Sequence, residues 1–474
     1  MESEKPYIPY SEIARLFQAD RKKLGAIEKP TKDGLLLIAE LGAKTWNSWL
    51  PFEKSTKIDF SGTDFTQTDI DFSEFSFNSV NFDNSKFFRG NFSSCKFSGD
   101  ASFRHCTFEE DAEFSSCFFH DAAFFECCNF KHADFSNSKF SKEAIFISLK
   151  SGGRIYFKGS KFLSDADFSG SVFSSMTNFS YAEFAKTAIF RDSKFSGPTT
   201  FHEANIWLAD FRLTTFSDQF DFSCRLDSDP KPTSTVYFSG CKFEKNAIFN
   251  NRKFGNTTIF GKITHENGKV IATRFKRAPT FHGCKIHQDT SFDGAIFETP
   301  NTQESARAFR TLKLAMEQLK ATREEQRFFH LEMKAERQSL PLPRRALSFM
   351  YEILSDYGFS LWRPLAWLLI FSIAFSVAHG ALAYACAASP ACAATPNFGS
   401  SNEQTSDLIK YVLVNTAPVP GLDKMQTELR KPLFGEHGAI AVTALALEIL
   451  HKIVTLVMTF LFALGLRNLF KMKT

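Results

Sequence analysis

Between Ile58 and Phe297, phenylalanine recurs with a beat that no helix face can hold. Phe92, Phe97, Phe103, Phe108, Phe114, Phe119, Phe125 and Phe130 are separated by gaps that alternate five and six. The beat returns from Phe157 through Phe162, Phe168, Phe173, Phe179, Phe184, Phe190 and Phe195 to Phe201. It returns again at Phe238, Phe243, Phe249, Phe254 and Phe260, and at Phe281, Ile286, Phe292 and Phe297. Helical spacing of 3.6 would scatter these rings around the cylinder, so the segment is not helical. A fixed internal period marks a solenoid, in which each repeat packs only on its neighbours. The chain holds 57 phenylalanines in 474 residues, and this ladder accounts for most of them.

A second rule accompanies the first. Two residues before many of these rings sits something small, as at Cys95, Ala101, Cys106, Ala112, Cys117, Ala123, Cys128 and Ala133. In extended chain, residues i and i−2 point the same way, so each short strand sends one large and one small side chain inward. Ser, Asp, Asn, Lys and Gly fill the other positions and suit outer faces and corners. An 11-residue step then covers two faces, and 22 residues make one turn. Phe97 should stack on Phe119, and Phe108 on Phe130. The sixth residue of the longer gaps is expected to bulge at a corner.

Stretches such as Ala133–Phe140 and Asp165–Phe173 resemble the pentapeptide-repeat proteins, with Phe where Leu is common. The resemblance implies an all-β, right-handed, four-sided (quadrilateral) β-helix across 58–298. It says nearly nothing about function.

Composition narrows the classes. A net charge of +4 gives no bulk argument for nucleic-acid binding. Four of the ten cysteines (Cys95, Cys106, Cys117, Cys128) belong to the beat and read as small core residues in a reducing compartment. No spacing suits a metal, and no P-loop, G-x-S-x-G or H-E-x-x-H is present. No enzyme activity, cofactor or metal is expected.

Residues 1–57 read as a helical cap. Its Trp46 and Trp49, spaced i and i+3, would plug the open end of the first coil. The Trp-Asn-x-Trp run resembles the cap of several bacterial pentapeptide-repeat proteins. Glu2, Glu4 and Lys5 precede no apolar run long enough for a signal peptide, so the solenoid is expected in the cytosol. The ladder's register is unclear between Ile70 and Phe82. It breaks at 223–237 and 261–274, which read as projecting loops. From 299 to 362 the period turns helical: Phe309, Leu312, Met316 and Leu319, then Phe328, Leu331 and Ala335, suit a helical hairpin or two broken helices that cap the last coil and offer a surface for self-association. Arg344 and Arg345 lead an amphipathic segment through Leu347, Met350, Tyr351, Leu354 and Tyr357, which suits a membrane surface.

Two apolar stretches follow within 363–474, separated by an outer loop, 389–438. Pro364 to Ala388 carries no charge, and Ala439 to Leu466 is interrupted by Glu448 and Lys452; each is long enough to cross a bilayer. Arg344, Arg345 and Arg363 flank the first, and Arg467, Lys471 and Lys473 follow the second. The positive-inside rule then places both termini in the cytosol. The Phe309–Lys313 run, "RPLAWLLIF" and "LFALGLRNLFKMK" resemble bacterial pentapeptide-repeat membrane proteins with a C-terminal two-helix, ion-channel-like module. That resemblance covers nearly the whole chain and implies an inner-membrane, multi-pass protein.

Between the spans, Asp407–Asn415 suits a short helix, broken by Thr416–Gly421. Either this is a re-entrant pore loop with an irregular return, or it is an amphipathic helix on the outer leaflet. The candidate pore or gate residues are Asn415, Thr416, Pro418, Glu448, His451 and Lys452, since ionisable groups in a span are functional candidates. Glu448 is expected near the far interface, where reaching the headgroups is the plain alternative. His379, in the first span, reads as a packed or interfacial side chain. Cys386 and Cys392 lie at or past the outer end of that span and, in an oxidising compartment, are expected to pair. No TVGYG filter is present, so potassium selectivity is not implied.

Three functions follow. The first is an oligomeric, channel-like or sensor protein whose cytosolic β-helix binds an unknown protein and couples to a two-span pore module. Two helices cannot enclose a pore alone, so its partners include copies of itself as well as membrane lipids. The second is a membrane-tethered scaffold with no pore. The third is a DNA-mimicking inhibitor, disfavoured by the mixed charge and the tether.

Overall fold

The computed structural model describes residues 32–50, 57–68, 70–226, 232–265, 267–298, 300, 302–388, 401–417, 421–435 and 438–471. The chain forms two compact units, Met1–Ala335 and Glu336–Thr474.

The first unit is a β-solenoid of about 11 turns. Its strands are mostly two residues long and pair in parallel with the coils above and below. Four rings enter each turn. Phe103, Phe108, Phe114 and Phe119 stack on Phe125, Phe130, Phe135 and Phe140, with ring centroids 5.0, 4.9, 4.9 and 4.6 Å apart. Phe97 likewise stacks on Phe119 at 4.6 Å. Diagonal neighbours meet edge-on, as Phe103 does with Phe114 at 86°. The core is therefore parallel columns of stacked rings crossed by perpendicular contacts, both favoured aromatic geometries. These rings are fully buried, and burial of each is worth roughly 2–3 kcal/mol.

The uniform 22-residue turn needs correction. Ile58 pairs with Val80, but Val80 pairs with Ala101 and Phe77 with Phe97, so these turns take 22, 21 or 20 residues. The six-residue gap from Phe108 to Phe114 lies beside the five-residue gap from Phe130 to Phe135, and the ladder shifts register between Phe130 and His132. The extra residue is absorbed at that corner while the rings stay in column.

The small residue at i−2 does more than make room. The Cys95, Cys106, Cys117 and Cys128 thiols donate to the carbonyls of Phe72, Phe82, Phe92 and Phe103 at 2.8–3.0 Å. In later coils Ser138, Ser160, Ser171 and Ser193 take the same slot and donate to Phe114, Phe135, Phe146 and Phe168. The slot selects a short second donor for a corner carbonyl that already accepts a turn N–H, as the Phe92 carbonyl does from Cys95 at 3.2 Å. Burial pushes the Cys95 and Cys128 thiols well above their ordinary range, which leaves them protonated donors.

Both ends are closed. Helix α1 (Lys32–Glu40) precedes α2 (Ala43–Trp49), whose Trp46 is fully buried. Its ring lies 5.4–6.2 Å from Phe60, Phe75 and Phe77, and its indole donates to the Ser76 carbonyl at 2.7 Å. Asn47 accepts from Ser76 N–H and donates to the Glu74 carbonyl, standing in for a missing strand. The side chain of Trp49 lies outside the described residues. The uncertain register near Ile70 resolves with Phe72, Phe75 and Phe77 all inside. At the other end, α3 (Gln303–Gln318) and α4 (Thr322–Glu336) form the hairpin. Phe309 and Phe328 sit edge-on to Phe297 and Phe292, and Arg327 donates to the Phe292 and Ala295 carbonyls of the last coil. The second interruption is not a plain loop: Lys262–Thr264 and Val270–Ala272 pair as an antiparallel hairpin.

The second unit contains α5 (Leu342–Ser355), α6 (Trp362–Ala387), α7 (Ser401–Thr416), α8 (Asp423–Phe434) and α9 (Ala439–Lys471). Helices α6 and α9 pack along each other, and both are long and apolar enough to cross a bilayer. Helix α5 leaves Leu342, Phe349, Met350 and Ile353 exposed on one face and buries Ser348 and Ser355 on the other. The Ser348 hydroxyl lies 3.1 Å from that of Tyr357.

Candidate functional site

The segment between α6 and α9 is a pair of packed helices, α7 and α8. The irregular return expected after residue 416 is therefore corrected: the chain comes back as α8, with Pro432 inside its last turn. Pro at that point costs one helical hydrogen bond near an end. Pro418 lies outside the described residues.

The apolar sides of α7 and α8 bury Tyr411, Leu433 and Phe434 together with Ala444 of α9. Polar groups then converge among four helices. Glu448 is 5% exposed. Its Oε2 accepts from the Tyr411 hydroxyl at 2.8 Å and its Oε1 from Lys452 Nζ at 2.9 Å, while an Arg430 guanidinium nitrogen lies 3.7 Å away. Glu448 thus turns into protein rather than out to a headgroup layer. One turn along, His451 Nε2 lies 3.2 Å from the Thr416 hydroxyl oxygen, which is 3.4 Å from the Ser372 hydroxyl on α6. The His451 ring stacks on Phe375 at 4.4 Å. Asn415 donates to the Tyr411 carbonyl and Gln426 to the Val414 carbonyl.

Asn415, Thr416, Glu448, His451 and Lys452 are thus all found in or beside this cluster. Tyr411, Arg430, Gln426 and Ser372 are members that sequence reasoning missed. Tyr411 was legible as one turn before Asn415 on the same face. Arg430 was hidden among the other charges of α8. His379 is fully buried, 5.1 Å edge-on from Tyr411 and 6.0 Å from His451 by ring centroids. Cys386 is disulfide-bonded. Cys392, its expected partner, lies outside the described residues. Among the described residues no group of three or more His, Cys, Asp or Glu could hold a metal ion.

The solenoid carries a cleft of about 440 Å³, lined by Asp111, Glu113, His132, Asp134, Arg154 and Tyr156. Burial pushes the Glu113 carboxyl up, and Asp134 and Asp111 push it the same way.

Residues 157–205 match the family described as pentapeptide repeats (9 copies). No curated protein and no solved structure matches the chain. The matched segment lies inside the ring ladder, and the same columns continue on both sides of it, from Phe60 to Phe297.

Proposed function

We propose that this is a membrane-embedded pentapeptide-repeat protein whose second unit assembles into a channel-like or sensor oligomer, coupled to a cytosolic β-helix that binds a partner protein. Helices α6 and α9 cross the inner membrane, with both termini in the cytosol. Helix α5 lies in the inner leaflet, apolar face to lipid, with Arg344 and Arg345 at the headgroups.

The observation that carries the proposal is the depth reached by α7. Its last residue, Thr416, touches Ser372, the eleventh of 26 residues in α6, and His451, the thirteenth of 33 in α9. At a rise of about 1.5 Å per residue, Ser372 lies roughly 15 Å from the start of α6, near mid-bilayer. The α7–α8 pair therefore descends between the spans and returns, as a re-entrant hairpin does. Such backbone is tolerated at that depth only where protein or water surrounds it. An outer-leaflet helix would not touch mid-span side chains.

A tethered scaffold without a pore is the second reading, favoured by the acidic cleft and by Trp207, 58% exposed on the solenoid surface. Light scattering of the purified full chain in detergent separates the two. A closed oligomer together with ion flux in liposomes is expected. A monomer that supports no flux would leave only the scaffold.

A further inference from the structure

The buried cluster contains more hydrogen-bonding capacity than its side chains use. Thr416 Oγ1 donates to the Val412 carbonyl at 2.9 Å, and Ser372 Oγ donates to the Leu368 carbonyl at 2.7 Å. Neither hydroxyl proton then points at His451, so His451 Nε2–H must be the donor to Thr416. A neutral ring in that tautomer carries its lone pair on Nδ1. That atom has no hydrogen-bond partner among the described residues, and His451 is 1% exposed. His379, at 0% exposure, has no partner on either ring nitrogen among the described residues. Asn415 Oδ1, Gln426 Oε1 and Thr455 Oγ1 are buried and likewise have no partner among the described residues.

These five groups come from four helices, and their geometry is ordered. Glu448, His451 and Thr455 recur along α9 at intervals of three and four, on one face. Ser372 and His379 lie two turns apart on α6. Native interiors seldom leave so many buried polar atoms unsatisfied, and a polar site with several partners is one that internal water fills. Most of the unmet capacity is acceptor capacity, which a proton or a water molecule satisfies. The fixed charges facing the line are Glu448, Lys452 and Arg430, and the first of these is bound by the other two.

We propose that this line is a hydrated proton path inside each protomer, running past Glu448 and Tyr411 through His379 and His451 to Thr455. A proton taken up at Nδ1 of His451 makes an imidazolium. Loss of the Nε2 proton to the next carrier restores a neutral ring in the other tautomer. No other bond forms or breaks, and no oxidant or reductant is needed. The inference rests on the membrane placement proposed above, but not on an oligomeric pore, because the line lies between helices of one chain.

The test uses purified full-length protein in liposomes holding a pH-sensitive dye, with a potassium gradient and valinomycin supplying the voltage. Wild-type protein should move protons at least about tenfold faster than empty vesicles. His379→Phe and His451→Gln should fall to the empty-vesicle rate, while Leu226→Ala, 86% exposed on the solenoid, keeps the wild-type rate. His451→Gln decides the matter, because its amide can still donate to Thr416 while it cannot relay a proton. Undiminished flux in that variant overturns the proposal, as does a wild-type rate no better than empty vesicles. Rubidium uptake measured in parallel separates the two ideas. Rubidium flux without histidine-dependent proton flux keeps the pore and removes the relay. A monomer with histidine-dependent proton flux removes the oligomeric pore and keeps the relay.

Discussion

Arg252 sits where the solenoid's ladder fails, and replacing it should open the coil there. It occupies the small-residue slot of its coil, yet it is fully buried. One column back, the Cys95, Cys117, Ser138, Ser160 and Ala182 carbonyls accept from the next rung, the last of them from Asn205 N–H. The Ala204 carbonyl comes next, at the first interruption. Arg252 supplies the missing donors: Nε to Phe222 O at 2.9 Å, one terminal nitrogen to Ala204 O at 2.6 Å and the other to Phe201 O at 3.1 Å. Its guanidinium also lies 4.2 Å over the Phe222 ring. No carboxylate pairs with it among the described residues, and burial pulls the group below its usual range; an arginine still stays charged at neutral pH. In Arg252→Leu, the Ala204 and Phe222 carbonyls lose their donors, at about 1–3 kcal/mol each. Relief of the buried cation's desolvation offsets part of that. A net loss of roughly 2–4 kcal/mol is expected, equivalent to about 30- to 1,000-fold faster opening. Hydrogen exchange followed by mass spectrometry on the full chain reads this locally, at the amides of Phe201, Phe222 and Phe249. Arg252→Lys should lie between the two, since an ammonium cannot fork to three carbonyls. Unchanged protection in Arg252→Leu would refute the idea that this side chain replaces a rung.

Three further outcomes are expected. Asp210 is 5% exposed and bound by Arg212 and Arg191 at 2.6–2.8 Å; burial raises its carboxyl, but the hydrogen bonds from Arg212 and Arg191 outweigh that and hold it below the usual range. Its contribution is therefore complete above a pH of about 4 and is lost as pH falls through the lower folded value, so the wild-type advantage over Asp210→Asn in urea should vanish in acid. Phe119→Asp places a carboxylate between the rings of Phe97 and Phe140; removing the ring alone costs roughly 3–5 kcal/mol, and a yield of folded full-length chain equal to that of Phe119→Leu would contradict the stacked-column core. Reporter fusions at Thr474 and Gly399 should lie in opposite compartments, and mass spectrometry of alkylated, unreduced protein should find Cys386 blocked together with Cys392; a free thiol at Cys392 would reassign the partner of Cys386.

The ring period by itself determined that this chain coils, because a five- and six-residue recurrence of Phe has no other way to gather its rings on one side. It also carried the columns, the Trp46 plug and the helical hairpin at the far end, all of which rest on spacing between residues close in sequence. Arg252 was not legible, because its partners at Phe201 and Ala204 are two coils away and the need for it arises only from the strand the interruption displaces. The uneven turn length was half legible: the gaps show the extra residue, but only the stacking of one corner on the next shows where it is absorbed. In the second unit, hydropathy marked α6 and α9 and made Glu448 and His451 stand out as ionisable groups in apolar surroundings. Hydropathy carries no information on what faces such a group. Tyr411, Arg430 and Ser372 come from three other helices, and only their packing turned separate polar residues into one buried cluster.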